Sequence, residues 1–470
     1  MTRWFWNGPV PCFLLLAALT MALTLPGVAA AGQDPAQTPF VGSIAPSVAA
    51  EPADEHDDGT QQRPGGGTGT EPKKKSDKLR IRWRSASLEY GKKVRVDFKT
   101  RFRWELRKSD AAITKDVLDT LDIARRRIGV DGQVLKAMAF KVDRELDSTD
   151  PHPLRDAYFD VTALGEAQFR YGQFKMPFSL DENMGSQELD FAYRSSAATL
   201  LAPSRAKGWM VHGDTFDRAF GYEYGVFETD GSNALVRTTE KRVNAGETTV
   251  WRVTSEPLHG LSSPLADVHI GYAKTRGELP EGISGIKGRT VLGADFYKGD
   301  FFVLGRRERK GYEFQWRPGP ASVRMESITL TEERKGESVE DSDLSPYQVK
   351  AWYVSGSYAL TGESKSRGLD RPNHPLFQGG IGALEVAVRV EKITFGSVLT
   401  GTGSKSPRAD VLPSNSDRIL TFSGNWYPNR WIKVQMTFFK EEFADPSIVT
   451  KTLRATPSFR SRVLRIQFSI

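Results

Sequence analysis

Residues 93–107 read KVRVDFKTRFRWELR. The even positions are Val94, Val96, Phe98, Thr100, Phe102, Trp104 and Leu106, and the odd ones are Lys93, Arg95, Asp97, Lys99, Arg101, Arg103, Glu105 and Arg107. The period is two throughout, which is the signature of a strand with one apolar face and one wetted face. At about 3.3 Å per residue the stretch reaches about 50 Å, or about 35 Å when tilted near 45°. An ordinary globular strand has about 5–6 residues. Length and alternation together predict a strand that crosses a bilayer, with six bases on the face that meets water.

The rest of the chain agrees with an exported membrane barrel. Arg3, the apolar run Phe13–Leu25 and the small residues Val28-Ala29-Ala30-Ala31 form a secretory signal, with cleavage after Ala30 or Ala31. An anchor helix is the competing reading, but the apolar run is short and cleavage chemistry follows it. The only cysteine, Cys12, lies inside the signal, so the mature chain has no disulfide, thiol nucleophile or Cys-ligated metal. The formal net charge of +7 falls to +6 without residues 1–30, which hold one base and no acid. A mildly basic protein suits anionic surfaces or small anions, and export argues against nucleic acid as a partner. Mean hydropathy is −0.43, too polar for a bundle of membrane helices but ordinary for a barrel in which alternate residues meet lipid. Residues 31–79 are low-complexity (RPGGGTGTEPKKKSDK) and read as a disordered linker. The domain reading is therefore signal peptide 1–30, linker 31–79 and barrel 80–470, with 80–92 as a short extended lead-in.

Further alternating runs occupy 121–130, 133–143, 167–175, 350–361, 383–391, 431–438 and the C-terminal strand, where Leu464, Ile466, Phe468 and Ile470 alternate with Arg465, Gln467 and Ser469. Asp131-Gly132 is read as a two-residue hairpin turn. Leu164-Gly165, Lys298-Gly299-Asp300, Arg317-Pro318-Gly319-Pro320 and Pro428-Asn429 are further tight connections. Longer polar connections lie at 176–204, 229–246, 331–345, 397–416 and 442–457. Short periplasmic turns alternating with long outer loops predict an all-β transmembrane antiparallel up-and-down barrel. Its strand number is eighteen, or sixteen if two short candidates near 301–317 belong to a loop. A secreted β-sandwich or solenoid is the competing architecture; the strand length and the alternation of turn lengths disfavour it.

Ala124-Arg125-Arg126-Arg127-Ile128-Gly129-Val130-Asp131-Gly132 resembles the arginine-rich strand of the phosphate-selective porin O/P family. Asp156-Ala157-Tyr158, Tyr171-Gly172-Gln173-Phe174-Lys175-Met176-Pro177-Phe178, Ala202-Pro203-Ser204-Arg205, Leu360-Thr361-Gly362-Glu363, Gly382–Arg389 and Asn425-Trp426-Tyr427-Pro428-Asn429 resemble further family blocks in the same order. The resemblance spans about residues 80–470. It implies a bacterial outer-membrane porin, with trimer formation as an expectation from the resemblance alone. Two departures stand out. The chain ends in Ile470 with Phe468 two residues earlier, where such barrels usually end in Phe. The bases are also grouped as ARRR, so that only Arg125 and Arg127 share a face.

Arg or Lys facing lipid at mid-depth costs about 2–4 kcal/mol, so the basic face must line a watery lumen. There, positive groups concentrate anions, and guanidinium forks bind phosphate oxygens. By phase the candidate anion-binding residues are Arg95, Lys99, Arg101, Arg103, Arg125, Arg127, Lys141 and Arg170, with Lys175 flanking the 176–204 loop. Bases exceed acids on the lumen face of the first five strands, while the later strands are near neutral, which makes a one-sided cationic stripe. The charge-balance reading is that these bases pair with nearby acids. Loop 176–204 sits where porins fold a constriction loop into the lumen, and its acids Asp181, Glu182, Glu188 and Asp190 would narrow or neutralise the pore; an ordinary surface loop is the other reading.

No catalytic or metal-binding spacing stands out, and no cofactor is expected. A lipid-acting barrel enzyme would need a Ser/His pair, and neither His212 nor His269 has a phased serine. The function expected is passive diffusion of small anions such as phosphate or polyphosphate across the outer membrane. A structural or adhesive barrel with a plugged lumen is the alternative.

Overall fold

The computed structural model describes residues 79–82, 86–91, 93–110, 120–147, 153–163, 165–231, 235–238, 242–259, 261, 264–446 and 457–470. The export signal and nearly all of the 31–79 linker lie outside the described residues, as does Leu164 of one expected turn. The strands are β1 (Leu79–Arg82), β2 (Ser87–Tyr90), β3 (Val94–Ser109), β4 (Thr120–Val134), β5 (Met138–Glu145), β6 (Leu154–Val161), β7 (Gln168–Lys175), β8 (Arg205–Thr215), β9 (Phe220–Phe227), β10 (Val236–Arg237) and β11 (Arg242–Val243). They continue as β12 (Thr248–Ser255), β13 (Val268–Ile283), β14 (Lys287–Arg289), β15 (Asp295–Lys298), β16 (Phe302–Trp316), β17 (Ala321–Arg334), β18 (Leu344–Ala359), β19 (Ala383–Ser397), β20 (Asn415–Asn429), β21 (Ile432–Phe443) and β22 (Ser458–Ser469).

Sixteen of these, β3–β9, β12, β13 and β16–β22, pair antiparallel in chain order. The ladder of β22 on β3, from Ser461 opposite Ser109 to Ser469 opposite Arg101, closes the barrel and leaves no free edge. Below the seam, β2 pairs with the first residues of β3 and carries β1 with it. The expected phases hold. Phe98, Trp104, Ile128, Val142, Trp352, Val386, Phe438 and Ile466 point outward and are exposed, whereas Arg103, Arg125, Arg127, Lys141, Ser355, Arg389, Gln435 and Arg465 are buried inside. Among the described residues no helix is long and apolar enough to cross a membrane; the crossings are made by strands.

Short turns gather at one end of the barrel: Val134–Ala137, Phe216–Ala219, Arg317–Pro320 and Arg430-Trp431. The long connections gather at the other end, except for 256–267 and 360–382, two longer segments on the short-turn side that the sequence reading did not single out. Two expectations need correction. First, Asp131-Gly132 is not a turn but lies inside β4. The turn comes three residues later, where Leu135 and Lys136 take φ of 54° and 56°. Gly132 serves packing instead: a Cβ there would lie 2.8 Å from the Phe140 ring and 2.5 Å from the Arg95 carbonyl oxygen. Second, 302–316 is not loop but one full barrel strand, β16, paired on both sides. The strands that do not join the barrel wall are instead β1, β2, β10, β11, β14 and β15.

Candidate functional site

The lumen face of β3–β8 collects the bases, and the β3–β4 register explains how. Arg101 lies opposite Arg127 and Arg103 opposite Arg125. On the other side of β3, across the closure seam, the same two residues face Ser469 and Gln467. Arg101 and Arg103 are thus flanked by arginines on one strand and by neutral side chains on the other. Arg103 Nη2 donates to Gln467 Oε1 at 3.1 Å. Neither Arg101 nor Arg103 forms an ion pair among the described residues.

The other predicted residues have acidic partners. Arg95 sits at the short-turn mouth, pairs with Asp97 at 3.0 Å and borders a cavity of about 260 Å³ with Glu89, Lys93 and Lys136. Lys99 pairs with Asp131 at 2.6 Å. Arg127 Nη2 donates to Glu145 at 3.1 Å, and Arg125 Nε lies 3.8 Å from the same carboxylate. Lys141 lies between Asp143 at 3.3 Å and Asp156 at 3.5 Å. Gly129 makes room for Asp143, whose Oδ1 would be 2.0 Å from a Cβ there. Arg170 pairs with Asp160 at 2.6 Å and lies over the Tyr158 ring at 4.5 Å. Lys175 pairs with Glu182 at 3.2 Å and so holds the base of the loop.

Alternation could not reveal Arg155. A bulge shifts the β5–β6 register between Asp143–Asp156 and Arg144–Leu154, so Arg155 and Asp156 are both buried in the lumen. Arg205, named from the sequence only within the Ala202–Arg205 block, forms a two-point bond to Asp156 at 2.7 and 3.2 Å. At mid-wall Arg101, Arg103, Arg125, Arg127, Lys141, Arg155 and Arg205 thus cluster about the carboxylates of Asp143, Glu145 and Asp156, with Glu105 beside Arg103 on β3.

Loop 176–204 enters the lumen and is almost wholly buried. Ser179 caps the short helix α1 (Leu180–Asn183), accepting from the Glu182 N–H at 3.2 Å. The free N–H groups of Leu180 and Asp181 donate to the Glu326 carboxylate at 2.8 and 3.0 Å. The tip reaches the short-turn ends of β20 and β21: Lys433 Nζ donates to the Leu189 carbonyl at 2.6 Å and Asn425 Nδ2 to the Asp190 carbonyl at 2.7 Å. The Asp190 carboxylate meets Arg324 at 3.1 Å and Lys365 at 2.8 Å. Burial alone would raise its pKa, but those two cations outweigh burial and hold it well below the usual carboxylate range. Tyr193 donates to Glu105 at 2.7 Å, and Ser196 N–H to Glu391 at 2.7 Å. Asp181 accepts from Ser195 N–H at 2.7 Å, Glu182 holds Lys175 and Arg194, and Glu188 accepts from Gly185 N–H at 3.3 Å. All four loop acids thus act in seating the loop.

A second segment, 284–301, also turns inward. Phe296 packs against Phe443 and Phe395 at 4.8 and 5.7 Å, Tyr297 stacks on Phe395 at 5.0 Å, and Phe301 meets Tyr347 at 4.4 Å. Val291 N–H donates to Glu441 at 2.8 Å. Asp230, from the loop after β9, takes Arg307 at 2.8 Å and Arg309 at 2.9 Å. The arginines of β16 are therefore neutralised and the β18–β22 side is packed with aromatic rings, which leaves the excess positive charge on β3–β8. His212 and His269 face Asp160 and Glu313, at 3.0 and 2.9 Å. Among the described residues no group of three or more His, Cys, Asp or Glu is placed to hold a metal ion.

A closed sixteen-strand barrel with a loop folded into its lumen is porin architecture. The sequence matches the family described as phosphate-selective porin O and P over residues 96–259 and 292–470. The chain belongs to that family. It is an outer-membrane porin of Gram-negative type, and the unmatched stretch 260–291 takes in β13 and the first strand of the inward hairpin. Among solved structures, the porin is similar to the outer-membrane channel DcaP of Acinetobacter baumannii, with TM-score 0.50 and 10% identity over 80% of this chain and 98% of that one. OmpT of Vibrio cholerae gives TM-score 0.49 and 12% identity, covering 81% and 99%. An anion-selective porin from Comamonas acidovorans gives 0.49 and 11%, covering 80% and 100%. At these identities what is shared is fold. No functionally curated protein matches the sequence.

Proposed function

We propose that this porin passes small anions by passive diffusion along its β3–β8 wall, with phosphate and polyphosphate as the candidate substrates. The observation that carries the reading is the seam: Arg101 and Arg103 face arginines on β4 and neutral side chains on β22, with no ion pair of their own. In a narrow lumen such uncompensated charge raises local anion concentration. Most other lumen bases share carboxylates, so the wall offers several weak sites rather than one tight site, as conduction requires. Nothing in the arrangement separates phosphate from other small anions, so that choice rests on the family alone. Trimer formation is likewise a family expectation, to be read from mass in detergent.

In a KCl gradient across a planar bilayer the reversal potential should take the sign of an anion-preferring channel. Arg125→Glu with Arg127→Glu should move it toward cation preference, and an unchanged potential would sink the lumen assignment. Blocking chloride current with inorganic phosphate then tests the substrate class. One observation favours a second reading, a structural barrel without transport: two segments, 176–204 and 284–301, fill the β16–β22 side. A single-channel conductance near zero would select it.

A further inference from the structure

We propose that the 284–301 hairpin is a proton-controlled lid on the β18–β22 side of the lumen, latched by the acid pair Asp417 and Glu441. Both carboxyls sit on the lumen face near the long-loop ends of β20 and β21 and are fully buried. They face each other within hydrogen-bonding reach. Neither forms an ion pair among the described residues. One oxygen of Glu441 accepts the Val291 N–H of the hairpin at 2.8 Å. The other, and both oxygens of Asp417, meet no donor in bonding geometry apart from the facing carboxyl. Apolar groups close the enclosure. In register Asp417 lies between Ile393 and Phe443, and Glu441 between Ile419 and Phe459. Phe443 packs on Phe459 at 5.4 Å, and Phe296 of the hairpin covers Phe443 and Phe395.

Among the described residues no cation reaches the pair from the elements packed on it. On β19 the next charge is another acid, Glu391, taken by Arg389 at 3.1 Å and by Ser196 N–H. The lumen row of β22 reads Phe459, Ser461 and Val463 before Arg465, which serves Glu105. In the hairpin Lys287 and Arg289 pair with Asp295 at 3.1 and 3.2 Å, and Lys298 with Asp300 at 3.7 Å. Toward β17, Glu332 is held by Arg307 and Ser284. Two ionised carboxylates cannot share a dry enclosure without a cation, so the pair holds a proton between its carboxyls. Once that proton is lost to solvent, the charges repel and both demand water, which only withdrawal of the hairpin's rings admits. Solvent is close. Outward residues at this level, Arg418, Lys440 and Glu442, are charged, and the apolar rows begin beyond them at Leu420 and Phe438, so the latch lies outside the lipid band. The hairpin can also move as a unit: β14 and β15 pair with each other rather than with the wall, and Ser284 N–H donates to the Phe301 carbonyl across its base at 3.1 Å. As a gate the lid rests on the reading of this barrel as a channel; the latch does not.

Beyond Cys12 the chain has no cysteine, so a single introduced thiol reports the lid. Leu292→Cys, buried in the hairpin, and Val339→Cys, exposed in the 331–345 connection, are each labelled with a maleimide in the barrel folded in detergent. Their rate ratio removes the pH dependence of the thiol itself. Between about pH 6 and about pH 10 the ratio should rise at least about tenfold and fall again on acidification. Asp417→Asn/Glu441→Gln keeps the shape of the pair and cannot ionise, so it should hold the ratio low throughout. If that double variant does not fold, Asp417→Asn alone leaves one carboxyl and should flatten the rise several-fold. Single-channel conductance should rise over the same interval in the wild type and not in the variant. A ratio that ignores pH, or is already high at about pH 6, or rises equally in the variants, overturns the latch whatever the conductance. Labelling that follows pH beside a constant, non-zero conductance overturns the gate. Labelling that follows pH and is abolished in the variants, in a barrel that never conducts, upholds the latch and sinks the channel reading instead.

Discussion

Arg101 and Arg103 occupy the most consequential positions in the lumen because of what stands beside them rather than because they are basic. Arg95, Lys99 and Arg170 each share a carboxylate at 3.0 Å or less, so removing one of them also frees an acid and changes the field less. Arg101→Gln with Arg103→Gln should therefore lower the anion-to-cation permeability ratio more than Arg95→Gln with Lys99→Gln, and bilayer reversal potentials decide the order. The smallest side chains are as constrained. A methyl at Gly129 would lie 2.0 Å from Asp143 Oδ1, inside a charge cluster with Lys141. Gly129→Ala should cost about 1–3 kcal/mol, the usual range for overpacking, read from urea unfolding in detergent. The phase that puts Arg125 and Arg127 in the lumen is plain in the sequence. Whether either has an acid to share is not, because Glu145 is eighteen residues beyond Arg127 and reaches it only through strand pairing.

At the scale of elements, the inserted loop is held by bonds whose donors and acceptors are remote in sequence. Asp190 joins it to β17 through Arg324 and to the 360–382 segment through Lys365. Removing one partner of a buried ion pair costs about 3–5 kcal/mol, so Asp190→Asn should loosen the tip and raise open-channel noise in single-channel records. The sign of its pH dependence follows from its lowered pKa. The stabilisation from Asp190 is complete above the unfolded carboxylate value of about 3.9 and fades as pH falls toward the lower folded value. The stability gap between wild type and Asp190→Asn should thus be constant above about pH 5 and shrink below about pH 4. The inward hairpin behaves differently, since rings rather than charges hold it. Phe296→Ala should cost about 3–5 kcal/mol locally and expose 284–301 to protease at a salt-independent rate. Sequence alone marked 176–204 as long and acidic, which fits a constriction loop and a surface loop equally. The choice was made by acceptors on distant strands, Glu326, Glu391 and Glu105. Within 284–301 the sequence marked only Lys298-Gly299-Asp300, as a tight turn, and gave no sign that the segment folds inward, because its aromatic contacts lie on β18–β22.

For the whole molecule, the barrel is a consequence of local chemistry repeated many times. Period-two alternation, strands of up to sixteen residues and turn residues between them require a sheet with one wet and one apolar face, and closing it removes its edges. That much was legible from KVRVDFKTRFRWELR and its counterparts, because side-chain alternation along a strand is set by backbone geometry within a few residues. Where local cues served two purposes the reading went astray. Asp131-Gly132 has turn chemistry, yet Gly132 is needed to clear Phe140, and the turn formed beyond it. The charge balance of the lumen, the bulge that brings Arg155 inside and the seating of the two inward segments all depend on which residues meet across strands. Register and closure belong to the folded sheet as a whole. The sequence by itself therefore determined that this chain crosses a membrane as a barrel with a basic lumen face. Only the tertiary structure decided which of those bases lack a counter-ion, because that depends on cross-strand neighbours up to hundreds of residues away.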